Sequence, residues 1–195
     1  MQRESDPEVT GAMAEAVWQF TLSLYDQPGV ASACLSLQAR RGVGVSALLA
    51  LIGLAAAGRP ALEKNAMEAT LVRAEHWQQA VIEPLRAARR GVRGAMAPAI
   101  EADAHALRHD LQAREIEAER LQQQLLVADY AASGLSELPW TEAVRLNAPV
   151  YLAGKNASPS PEDEAHLTQS PTPLLNVAVG RPDPHRNRAL AAGAP

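Results

Sequence analysis

The run Val43 to Ala57, VGVSALLALIGLAAA, places fifteen residues in a row without one charge. A helix that crosses a bilayer needs roughly 20 such residues, so this run is too short to span and has to be hidden within protein. It is apolar nearly all round and therefore has no face to offer solvent; other helices must enclose it. Gly44 stands before it and Gly58 after it, which predicts a central helix from about Val45 to Ala57.

The segments around it supply the enclosing faces. Ser5 and Glu8 have capping-box spacing with Pro7 between them, so a helix is expected to open there. Met13, Val17, Phe20 and Leu24 recur at steps of four and three, a single stripe with Trp18 and Tyr25 beside it. After Asp26-Gln27-Pro28-Gly29, the series Val30, Cys34, Leu37 marks a second helix, ending at Arg40-Arg41-Gly42. Beyond the apolar run, Leu62, Met67, Leu71 and Val72 predict a helix over about 61–73, continuing through Trp77, Val81, Ile82 and Leu85. Pro84 lacks a backbone donor and collides with the carbonyl four residues back, so a kink is expected near Val81.

Gly91, Gly94 and Pro98 punctuate a connector, after which one pattern runs to about Ser133. Ile100, Ala104, Leu107, Leu111, Arg114, Ala118, Leu121, Leu125, Ala128 and Ala132 alternate steps of four and three, and only Arg114 is not apolar. A period of 3.5 is the signature of coiled-coil packing, and such a helix would reach roughly 50 Å. Pro139-Trp140 opens a weaker segment with Val144, Leu146, Val150, Tyr151 and Leu152. From Gly154 on, seven of the 14 prolines and no aromatic residue occur, the composition of a disordered tail. The expected architecture is all-α: a compact helical bundle over 6–93, one long amphipathic helix plus a short helix over 98–153, and a disordered Pro-rich tail over 154–195.

Composition narrows the function classes. Seven aromatic side chains in 195 residues leave a core of Leu, Ala, Val and Ile, which disfavours aromatic-rich β architectures. The formal net charge of −4 gives no global field towards phosphate backbones or anionic lipid, so nucleic acid and membrane are disfavoured as partners. Cys34 is the only cysteine, which rules out an intrachain disulfide and points to the cytoplasm. The N-terminal residues show no secretion-signal pattern.

Few residues suggest chemistry. Glu101, His105 and His109 are spaced four and four, a face that can ligate a metal. They lie away from the seam and no fourth ligand is near in sequence, so solvated side chains are the better reading and no metal is expected. Cys34 in mid-stripe reads as a buried small hydrophobe. Arg86, Arg89, Arg90 and Arg93 form a basic cluster at a helix end, a candidate anion-binding site without the interleaved aromatics of a nucleic-acid surface. No phosphate loop, nucleophile elbow or zinc-protease motif is present, and no cofactor is implied.

Trp18 and Phe20, Leu24-Tyr25, Pro28-Gly29-Val30, Ala33-Cys34-Leu35, Leu37-Gln38 and Leu48-Leu49, then Trp77, Val81-Ile82 and Pro84-Leu85-Arg86, together resemble a proteobacterial family of small helical proteins classed as a domain of unknown function. The family pattern runs W-x-F, L-Y, P-G-V-x-x-A-C-L-x-L-Q, a Leu-rich helix, W and P-L-R. The resemblance covers Ala16 to Arg90 well and Glu115 to Tyr151 loosely. Relatives often carry Asp-Val-Asn where this chain has Gly44-Val45-Ser46, of which Ser46 retains capping ability. The resemblance implies one helical fold in a bacterial cytoplasm and carries no activity.

Three functional expectations follow. The first is a non-enzymatic interaction or scaffolding protein, binding a partner or a second copy through Leu107, Leu111, Arg114, Leu121 and Leu125; its rival is a long helix that folds back over its own domain. The second is a small-molecule-binding regulator or enzyme with a pocket among Trp18, Tyr25, Gln38 and Trp77. The third is RNA or ribosome contact through the four arginines. A binding module is favoured over an enzyme.

Overall fold

The computed structural model describes residues 7–42, 44–59, 62 and 64–131. Every regular element among them is helical: α1 (Pro7–Tyr25), α2 (Val30–Arg41), α3 (Val45–Ala56), α4 (Lys64–Trp77), a π-helical turn (Gln78–Ile82), α5 (Glu83–Gly94), a short 3-10 turn (Pro98–Ile100) and α6 (Glu101–Ala131). The chain is all-α, as its patterning predicts. The expected cap at Ser5, the weaker segment after Pro139 and the tail over 154–195 lie outside the described residues.

The apolar run does what its lack of a polar face requires. Every residue of α3 from Ser46 to Ala56 is buried, enclosed by α1 on one side and α6 on the other. The approach to α1 is close: a Cβ on Gly53 would meet Val17 Cγ1 at 3.1 Å and Phe20 Cδ1 at 3.3 Å, so glycine here sets the interhelical distance. The predicted stops also hold. Gly42 ends α2 in the left-handed region at φ 62°, its N–H bonded to the Gln38 carbonyl, and Gly58 follows α3 at φ 73°, where a side chain would be strained.

The kink expected near Val81 takes the form of the π turn. The Glu83 N–H reaches back five residues to the Gln78 carbonyl, and the widened turn gives the Pro84 ring room that a regular α-turn denies it. The same turn keeps Gln78 facing inward, 7% exposed.

α6 is the spine of the molecule. It packs along α1, α3, α4 and α5, and its Leu126, Val127 and Tyr130 belong to the same core cluster as Met13, Val17 and Leu48. The long helix therefore folds back over the preceding helices and shares their core. Its buried face, however, is not the predicted seam. Ala104 and Ala118 are buried and Leu111 is half-buried, but Leu107, Leu121 and Leu125 are exposed at 52%, 41% and 39%, and Arg114 is exposed and pairs with Glu117. A strict seven-residue repeat drifts by about 20° per heptad on a straight helix. Of the seam, Ala104, Leu111 and Ala118 turn inward while Ile100, Leu107, Leu121 and Leu125 stay exposed, and the buried stripe continues through Glu115, Gln122, Gln123, Leu126 and Tyr130.

Candidate functional site

Where α6 crosses the bundle, its inward side chains are polar. Gln123, 1% exposed, accepts from Thr21 Oγ1 at 3.2 Å and donates to the Ser46 carbonyl at 3.2 Å. Ser46, expected as a cap, instead donates its hydroxyl to the Glu119 carbonyl at 3.1 Å, and Gly44 is the N-cap residue of α3. A polar stitch thus ties α1, α3 and α6 at mid-height. A second joins Gln122 to the Ala74 carbonyl at 2.9 Å and to Gln78 Oε1 at 3.2 Å, and Gln78 donates to Glu83 at 2.8 Å.

α5 meets α6 through charge. None of its residues is fully buried, yet it lies along α6, and the joint is ionic. Arg86 is the hub: Nε donates to Glu115 Oε1 at 2.9 Å, Nη1 to Glu83 Oε1 at 3.0 Å and Nη2 to Glu119 Oε1. Arg89 grips the same Glu115 through Nε at 2.7 Å. The Arg86 and Glu115 side chains are only 13% and 10% exposed, so these bonds act in a poorly solvated setting where a lone charge would be costly.

This network forms one wall of a cavity of about 580 Å³ between α1, α2, α3, α5 and α6. Trp18, Tyr25 and Gln38 line the same cavity, as do the exposed Leu22, Leu35 and Ile116. The volume lies within the roughly 300–1,000 Å³ common for small-molecule sites. Burial raises the Tyr25 phenol, with Cys34 and Glu119 adding to the shift. Burial also lifts Glu119 above its ordinary carboxylate value, outweighing the pull of Arg86. At Arg86 burial works against the charge, but bonding to Glu115 and Glu119 wins and holds the guanidinium above its ordinary value.

Two sets of residues that the sequence suggested separately therefore converge. Trp18, Tyr25 and Gln38 share one cavity with Arg86, Arg89 and Arg90. Trp77 is not on it: its indole N–H donates to the Ala118 carbonyl at 2.9 Å, pinning the end of α4 to α6. Arg86 and Arg89 are engaged by carboxylates rather than open to an anion, and Arg93 does not line the cavity. Glu115, Glu119 and Gln123 were not singled out in the sequence, where the seam runs through other positions of the long helix, and Ser46 was noted only for its capping ability. The available signal was complementarity: Arg86 and Arg89 at i, i+3 on one helix match Glu115 and Glu119 at i, i+4 on another.

The remaining candidates lie away from this cavity. Cys34 is fully buried and burial pushes its thiol up to about 11, a hydrophobe rather than a nucleophile. Glu101, His105 and His109 are all exposed, and among the described residues no three His, Cys, Asp or Glu side chains are grouped to hold a metal. No helix among them is long and apolar enough to cross a membrane.

No curated protein and no solved structure matches the chain. A family model does match, over residues 16–126, from just before Val17 in α1 to the buried Leu126 of α6. The match takes in every residue of the cavity, and the chain belongs to the family described as Protein of unknown function (DUF2390).

Proposed function

We propose that the protein binds a small organic molecule in the cavity between α1, α2, α3, α5 and α6. The observation that carries the reading is the convergence of an aromatic pair, Trp18 and Tyr25, with Gln38 and the Arg86 network around one cavity. Apolar walls with a few placed polar groups are the ordinary design of a small-molecule site. Gln38 supports it further, since its backbone carbonyl caps α2 while its side chain lines the cavity. The test is native mass spectrometry of the full chain purified from its own host, beside Gln38→Trp, which fills the cavity from its wall. A small molecule retained by the wild type and lost from Gln38→Trp is the expected result; an empty wild type that no member of a metabolite library stabilises against heat would overturn the reading.

A second reading rests on a different observation. Leu107, Leu121 and Leu125 remain exposed along α6, which supports contact with a protein partner or a second copy through that edge. Light-scattering mass is expected to fall on Leu107→Asp with Leu121→Asp, with helicity kept; a wild-type monomer that retains no partner would end this reading. A cytoplasmic location belongs to the same proposal and is supported by the lone, buried Cys34. RNA contact is not favoured, because Arg86 and Arg89 already hold Glu115.

A further inference from the structure

The charges of the cavity do not balance among themselves. Glu83, Glu115 and Glu119 share Arg86, and Arg89 adds a second guanidinium to Glu115 alone. Three carboxylates are thus held by two arginines. Counting the whole lining changes nothing: Asp26 adds a fourth carboxylate and Arg90 a third arginine, the latter exposed and in no ion pair among the described residues. The lining is one positive charge short of its carboxylates. Glu119 shares Arg86 with Glu83 and Glu115 and, unlike Glu115, is bonded by no second arginine; its side chain is 22% exposed. Trp18 and Tyr25 line the same cavity, and aromatic π faces attract cations.

Resting on the ligand-binding reading, we propose that the cavity takes an organic cation: an ammonium or guanidinium on an aromatic or alkyl body. The cationic head completes the ionic wall beside Glu119, and the apolar body lies against Trp18 and Tyr25, towards Leu22, Leu35 and Ile116 at the edge. An anion of the same size would enter a site with more carboxylates than arginines, two of those arginines already engaged. Charge, not shape, sorts the ligands.

Calorimetric titration of the full chain with three probes on one phenethyl body tests this: phenethylamine, phenethyl alcohol and hydrocinnamate, which carry a cation, no charge and an anion. The amine is expected to bind at least about tenfold tighter than the alcohol, the scale of one charge-assisted hydrogen bond, and hydrocinnamate more weakly than either. Glu119→Gln should erase most of the amine's advantage and leave the alcohol's affinity in place; Asp26→Asn, on an exposed turn, should reduce the advantage in the same direction if Glu119→Gln does not fold. Equal affinity for amine and alcohol overturns the charge inference while the cavity reading stands. Tighter hydrocinnamate overturns it in favour of an anion site. Failure of all three probes to bind overturns both readings.

Discussion

Glu119 pays for its place between helices with its own ionisation. Its carboxyl is raised above 4.5 chiefly by burial, so the unfolded chain loses this proton before the folded one does. A group shifted in that direction stabilises the fold fully below its unfolded value, and the contribution disappears as pH rises through the raised folded value. Glu119→Gln has no proton to lose. Its urea midpoint is expected to change less than that of the wild type as pH climbs from 4.5 towards neutrality; parallel curves for the two proteins would show that Glu119 is not the residue responsible. Other single residues were legible from pattern alone. Cys34, in step with Val30 and Leu37, is buried with them. Ser46 was not, because its hydroxyl bonds a carbonyl 73 positions away, and no local rule connects the two.

At the scale of elements, helix starts and stops followed local chemistry closely. Gly42 and Gly58 adopt positive φ just past α2 and α3, and Pro84 produces its distortion in the turn before it. Glycines inside helices divide by what surrounds them. Gly91 has open space where a Cβ would go, so Gly91→Ala is expected to stabilise the protein by about 0.5–1 kcal/mol through helix propensity. Gly53→Ala gains the same propensity but pushes on Val17 and Phe20. Val17 is fully buried and β-branched, with little rotamer freedom to retreat, so a net loss of about 1 kcal/mol is expected from overpacking. Thermal midpoints moving in opposite directions would confirm the contrast; both rising would show that α1 and α3 separate easily. The face of α6 is where pattern misled. The seam left out Glu115, Gln122 and Gln123, which are buried, and took in Leu107, Leu121 and Leu125, which are exposed and were expected to meet a partner; a 3.5 repeat and a 3.6 helix part company along a straight helix.

For the whole molecule the consequence is cooperativity. α6 packs on α1, α3, α4 and α5 and contributes to their core, so residues on either side of the connector at 95–97 should unfold together. Far-ultraviolet dichroism and tryptophan fluorescence are expected to give one coincident transition in urea. Leu126→Ala, at a fully buried position, should lower its stability by about 2–5 kcal/mol. Leu121→Asp, on the exposed edge, should change it by no more than about 0.5 kcal/mol. Two separated transitions, or equal losses from the two variants, would mean that the long helix forms a unit of its own.

The amino-acid sequence by itself determined the helical class, the central place of the 43–57 run and most helix ends, because apolar periodicity, glycine and proline act over a few residues. It also marked Trp18, Tyr25 and Gln38 on one side and Arg86 and Arg89 on another, without a relation between them. Only the tertiary structure decided that these residues share a cavity, that Trp77 does not join it, and that the arginines meet Glu115 and Glu119 rather than a free anion. The face that α6 turns inward depends on how the whole bundle closes. Its polar groups can be buried only because Thr21, Ser46 and Arg86, all distant in sequence, arrive to satisfy them.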